Sequence, residues 1–268
     1  MTTQTRLPTY YISHGGGPWP WVPEMRADLK VLEASLADIP RQLTSAPQAI
    51  LVISGHWEEN GFDVMSHPHP PMVYDYSGFP DYTYRIQYPA PGSPPLAART
   101  LELIQAAGLQ AKLNPKQGFD HGTFAPLFAM YPQADMPIFQ VALNANLDPQ
   151  AHWDLGRALS PLRDEGVLIV GSGLSYHNLR SFGPQAKVPS KAFDDWLQET
   201  LLTSSPSERQ ARLLAWADAP YARQCHPREE HLIPLMAALG AAADDAATCV
   251  YHEEGMRGGV VASSFRFG

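Results

Sequence analysis

The sequence predicts an α/β fold, a single domain over residues 1–268 with a central, mostly parallel mixed sheet flanked by helices and a metal site at the C-terminal edge of its strands. Two observations predict the sheet. Short apolar runs, rich in β-branched residues, are each bounded by small-residue turns. Between them lie segments with helical periodicity, and strands alternating with helices give an α/β layer. A third observation places the site. Histidines follow the strands, and ligands in such sheets bind beyond the strands' carboxyl ends.

Taken in order, the first strand is read at Thr9-Tyr10-Tyr11-Ile12. Leu29, Leu32, Leu36 and Ile39 then share one helical face, which is expected to end before Pro40. Ala49 to Ile53 reads as the second buried strand, and Leu96 to Ala107 as an Ala/Leu-rich helix closed by Gly108. Pro137 to Leu143 and Val167 to Val170 read as further strands, and Phe193 to Leu202 as a helix with Trp196, Leu197 and Leu201 on its apolar side. Pro227-Arg228-Glu229-Glu230 reads as a helix start, with His231 in the first turn, a kink beside it at Pro234, and Gly240 as the C-terminal cap.

Composition excludes several function classes. Hydrophobic residues at 44% and charged residues at 17% leave little room for disorder. A net charge of −8 argues against broad binding to nucleic acid or anionic membranes, which reward a basic patch. No apolar run approaches the roughly 18 residues of a membrane span, and Met1 to Pro8 has no apolar signal core. The expectation is a cytoplasmic protein with its two cysteines, Cys225 and Cys249, reduced.

The histidines carry the chemistry. His14 follows the first strand and opens Gly15-Gly16-Gly17-Pro18; His56 follows the second in Ser54-Gly55-His56-Trp57; His177 follows Gly171-Ser172-Gly173. One such histidine is most simply a hydrogen-bonded structural residue. Three delivered to one sheet edge point to a metal, because neutral imidazole is the commonest protein metal ligand. His231 is either a capping residue or a further ligand. Structurally, Asp120 reads as a cap for the helix after it, its side chain not required to point at His121; functionally, His121 reads as a donor to bound oxygen or a substrate oxygen. His67, His69, His152, His226 and His252 read as loop or surface residues.

These segments together resemble the class III extradiol ring-cleavage dioxygenases, in particular the DOPA 4,5-dioxygenase branch. The residues that carry the resemblance are His14 to Pro18, Ser54 to Trp57, Asp120-His121-Gly122, Gly171-Ser172-Gly173 with His177 to Arg180, and Arg228 to His231. The resemblance extends to the closing Ser263 to Phe267. It implies a catechol substrate, dioxygen as co-substrate, and one divalent metal: Fe(II) for activity, with Zn(II) as a ready occupant. By motif position His14, His56 and His231 take the ligand places, where the wider superfamily uses two histidines and a carboxylate, with Glu230 as an alternative third ligand. His177 takes the acid/base place, or that of a fourth ligand, and His121 a supporting one. Trp19, Trp21 and Arg180 are expected to touch substrate, with Arg257 and Arg266 as other cations for a substrate carboxylate. The tyrosines of the Pro-rich stretch Ser66–Pro95 either wall the pocket or pack on themselves. A monomer or small homo-oligomer is expected. Two rival readings stay open: a zinc-dependent hydrolase using the same histidines, and a non-catalytic binding protein on this fold.

Overall fold

The computed structural model describes residues 6–268. Its main sheet contains β1 (Thr9–Ser13), β2 (Ala49–Ser54), β3 (Ile138–Gln140), β4 (Val167–Gly173), β5 (Ala247–Met256) and β6 (Val260–Phe267), in the order β3-β2-β4-β1-β6-β5. The first four in that order run parallel, and β6 and β5 add an antiparallel hairpin beside β1. Every residue of β1, β2 and β4 is buried, as a parallel sheet covered on both faces requires. The domain is therefore the mixed α/β sheet that the apolar runs predict. The C-terminal hairpin is absent from the sequence reading, because its outer strand is mostly exposed or half-buried, with Tyr251 and Met256 buried, and lacks a continuous apolar run.

Three boundaries differ, each for a physical reason. The run Pro137–Leu143 is not one strand. After Gln140 the chain leaves the main sheet, the Ala142 N–H donating to Asp63 O, and Leu143–Asn144 pair instead with Glu58–Glu59. Helix α1 (Lys30–Gln42) runs past Pro40, which forfeits one backbone bond in the last turn while Leu32, Leu36 and Ile39 stay buried. Helix α2 (Pro94–Ala106) lies where expected. Helix α3 (His121–Met130) and helix α4 (Pro149–Leu159) each begin at an aspartate cap, Asp120 and Asp148. Helix α5 (Lys187–Leu202) starts six residues before Phe193 (193 − 187) and packs on the C-terminal hairpin.

The largest correction concerns the last helix. Residues Pro227–Leu232 form turns, not a helical first turn, and helix α6 runs Ile233–Ala242 with Pro234 near its start, where proline introduces no kink. Gly240 lies inside α6 rather than capping it. A Cβ there would sit 2.4 Å from Trp153 O of α4, so its hydrogen is what lets the two helices touch. All ten residues of α6 are buried, between α4 and strands β1 and β4. A helix apolar all round belongs in a core.

Two histidines assigned to loop or surface prove to be interior struts. His152 on α4 is fully buried, its Nε2 accepting from the Asn144 N–H at 3.1 Å while its Nδ1–H donates to Asp148 O at 2.7 Å. His226 is fully buried with Nε2 bonded to Ser175 O at 3.0 Å. Burial pushes His152 down to about 4 and His226 to about 3, from an ordinary 6.5. The unfolded chain protonates these rings first, so the stability they contribute is complete above pH 6.5 and declines as pH falls toward 4. His152→Gln keeps a donor and an acceptor but cannot titrate. Urea denaturation at pH 7, 6 and 5 should show the parent losing about 1.4 kcal/mol per pH unit more than this variant below pH 6.5. Parallel curves for the two proteins would refute the assignment.

Candidate metal centre

Five imidazoles and two carboxylates converge beyond the C-terminal ends of β1, β2 and β4. His14 follows β1 directly, its N–H donating to Gly173 O at 3.1 Å. His56 turns off β2 through Gly55. His231 reaches the site because β4 ends in Gly-Ser-Gly. A Cβ on Gly173 would lie 2.0 Å from His231 O, so only glycine admits that backbone. The His231 carbonyl is then fixed by the Tyr11 hydroxyl at 2.8 Å and the Leu174 N–H at 3.1 Å.

Hydrogen bonds set the tautomers of His14 and His231, and a close carboxylate sets that of His56. Ser172 Oγ gives its proton to Gly122 O, so it can only accept from His14 Nδ1–H, at 3.1 Å. His56 Nδ1 lies 3.3 Å from the Asp75 carboxylate, and His231 Nδ1 donates to Glu230 Oε1 at 2.9 Å. Each ring thus carries its proton on Nδ1 and turns a bare Nε2 inward. His14 Nε2 lies 3.2 Å from His56 Nε2, which lies 3.1 Å from His231 Nε2. Facing lone pairs repel one another unless a cation sits among them. Metal–nitrogen bonds of about 2.0–2.1 Å, at angles between octahedral and tetrahedral, hold neighbouring nitrogens about 2.9–3.4 Å apart. The donor set therefore fits a divalent metal.

The electrostatics agree. Burial, then the neighbouring imidazoles, keep His14 and His231 well below the usual histidine range. Burial and the His121 ring push His56 down to about 3, against the opposing pull of Asp75. All three are neutral, as metal ligands must be.

Each carboxylate serves two rings. Asp75 accepts from His121 Nδ1 at 2.9 Å and from the His121 backbone N–H at 3.0 Å while flanking His56. Glu230 Oε1 lies 3.0 Å from His177 Nδ1 as well as 2.9 Å from His231 Nδ1, and the His177 and His231 rings stack at 3.3 Å. Burial works to raise both carboxyls. The hydrogen bond from His121 at Asp75, and those from His177 and the backbone at Glu230, outweigh it and hold both below the usual range. Ligand-capable atoms of His14, His56 and His121 gather within 4.8 Å, as do those of His177, Glu230 and His231.

Above the cluster opens a cavity of about 710 Å³. Its polar lining comes from these histidines and Asp75, its apolar lining from Met25, Leu29, Phe79, Leu174, Phe182 and Met256, with Arg257 also on the lining. Other expected residues lie elsewhere. Trp19 is fully buried off this lining, its indole N–H donating to His14 O at 2.6 Å. It supports the His14 loop, where Gly15 adopts φ +73° and brings the chain down on the indole. Trp21 packs on Phe128. Arg180 lines an adjoining depression with Pro227, Arg228 and Glu230, which shares His177 and Leu179 with the main cavity, and Arg266 is engaged with Gly268 O and Gln42 O. The tyrosine-rich stretch does both things weighed for it. Tyr76 and Phe79 line the cavity, while Tyr88 is buried against Leu127 O and Tyr131 O. Asp75 escaped the sequence reading. Its only signal was a lone acid between two tyrosines in a stretch that had to fold onto something.

Three comparisons bear on this site. Residues 8–267 match the family described as the catalytic LigB subunit of aromatic ring-opening dioxygenase. Relatives named 4,5-DOPA dioxygenase extradiol include one from Beta vulgaris, 38% identical over 97% of this chain and 96% of its own, and one from Escherichia coli K12, 35% identical over 90% and 87%. The crystal structure of an uncharacterized protein from Escherichia coli K12 superposes with a TM-score of 0.79 at 31% identity, covering 98% of this chain and all of the other.

Proposed function

Because the chain belongs to the LigB family of aromatic ring-opening dioxygenases and is itself an extradiol dioxygenase, we propose that it opens a catechol, DOPA or a close relative, with dioxygen at one divalent metal held by His14, His56 and His231. The observation that carries this reading is the three inward-facing Nε2 atoms, 3.1 and 3.2 Å apart in sequence along the cluster and none bearing a proton.

When bound, the metal would draw the catechol oxygens and dioxygen into one coordination sphere, with ferrous iron supplying the redox chemistry that zinc lacks. The rest falls to the chain. His177 stands on the cavity lining beside the ligand His231, placed to take a catechol proton and return it to an oxygen when the ring opens. Glu230 orients it by holding Nδ1, which leaves Nε2 for the substrate. His121, fixed by Asp75 through its backbone and ring nitrogens, presents its remaining nitrogen toward the same space. The apolar lining excludes water from the reacting ring. The reaction balances without a further reductant, since both oxygen atoms enter the ring-opened semialdehyde.

No helix among the described residues is long and apolar enough to cross a membrane, and both cysteines are free, in keeping with the cytoplasmic location we propose.

Anaerobic reconstitution of the metal-free protein with ferrous iron, then DOPA and air, should give oxygen uptake and the yellow semialdehyde. Zinc reconstitution should give binding without turnover. Absence of oxygen uptake across a catechol panel, with one iron bound per chain, would sink the proposal.

A further inference from the structure

The remaining question is how the cavity distinguishes one catechol from another, and this inference rests on the catechol reading above. Among the cavity-lining residues one is cationic, Arg257, beside an otherwise apolar wall that includes Leu29, Phe182 and Met256. Its backbone adopts φ +53° beside Gly258 at φ +83°, and the Gly259 N–H donates to Met256 O at 3.2 Å, the two-residue turn that closes an antiparallel hairpin. The hairpin sets where that turn lies. Strands β5 and β6 run on past the Tyr11↔Phe265 pairing with β1 and carry their turn beyond the sheet edge where His14 stands.

The guanidinium is also uncommitted. Its ionic neighbour among the described residues is Asp28, 3.9 Å away, and the two side chains are 39% and 56% exposed. That separation is too long for a hydrogen bond and leaves the planar fork of donors open to a ligand. A carboxylate is the group that matches that fork in two parallel bonds.

We propose that Arg257 is a specificity-determining residue, which binds a carboxylate on the side chain of the catechol and so selects anionic catechols over neutral ones.

The test compares dihydrocaffeate with its uncharged methyl ester, using the iron-loaded protein and oxygen uptake. The parent should show the higher kcat/KM on the anion. Arg257→Gln should lower the ratio of kcat/KM for anion over ester about tenfold, chiefly through KM, and Arg257→Lys should restore part of it. Asp28→Asn removes the competing carboxylate and should move the ratio the opposite way. An unchanged ratio in Arg257→Gln, with ester turnover intact, overturns the assignment and leaves the dioxygenase reading standing. If neither catechol consumes oxygen, the dioxygenase reading fails instead. Calorimetric binding of the two catechols to the zinc-loaded protein then still decides the matter. Equal dissociation constants in the parent, or a preference for the anion that survives in Arg257→Gln, refute the role of Arg257.

Discussion

Replacing His56 by alanine should strip the protein of its metal and abolish oxygen uptake. His56 Nε2 is the shared neighbour of the cluster, 3.2 Å from His14 Nε2 and 3.1 Å from His231 Nε2, so its loss removes the ring that touches both of the others. Loss of an outer hydrogen-bonding partner weakens metal binding about 10–100-fold, and loss of a ligand must exceed that. His177→Ala should behave differently. It should retain most of its metal while kcat falls by about 10²–10⁴, the range for a removed proton-transfer group. Metal content by mass spectrometry after dialysis, beside oxygen uptake, separates the two. Equal metal loss in both variants would make His177 a ligand.

Gly173→Ala should damage the same site from behind. Its Cβ would stand 2.0 Å from His231 O, a backbone atom that Tyr11 and Leu174 already hold in place, so no side-chain rotation relieves the clash. The segment bearing His231 must move, or the sheet must. We expect a stability loss of about 3 kcal/mol, at the upper end for overpacking a rigid core, with metal affinity falling alongside. Chemical denaturation of the metal-free protein measures the first and metal titration the second. A variant with parental stability and affinity would show that His231 does not depend on this close approach.

Much of this was legible in the sequence because its causes are local. A β-branched run followed by glycine and histidine declares a buried strand ending at a ligand edge, so β1, β2 and β4 and the histidines after them could be read directly. What escaped was set by partners far away in the chain. Helix α6 starts at Ile233 rather than Pro227 because the residues before it must turn to hand His231 to Gly173 and Gly55. His152 and His226 look like ordinary loop histidines until the acceptors and donors around them are known. Asp75 and Ser172 gain their roles only when distant segments meet at His56 and His14. Charge alone pointed to three arginines for a substrate carboxylate, and tertiary placement leaves Arg257 on the cavity lining.

The pairing of β1 with β6 has a consequence for the order in which the molecule can be made. Thr9 lies opposite Phe267, so a strand near one end of the chain is flanked by one near the other. During synthesis β1 emerges early and must wait, with one edge unpaired, until β6 has left the ribosome. Contacts so distant in sequence carry a large loop-closure penalty and belong to slow folding. The proposed ligands are spread in the same way, from His14 through His56 to His231, so no short nascent segment can chelate a metal with all three. A metal held by these three rings can therefore be captured only once distant segments of the chain have met.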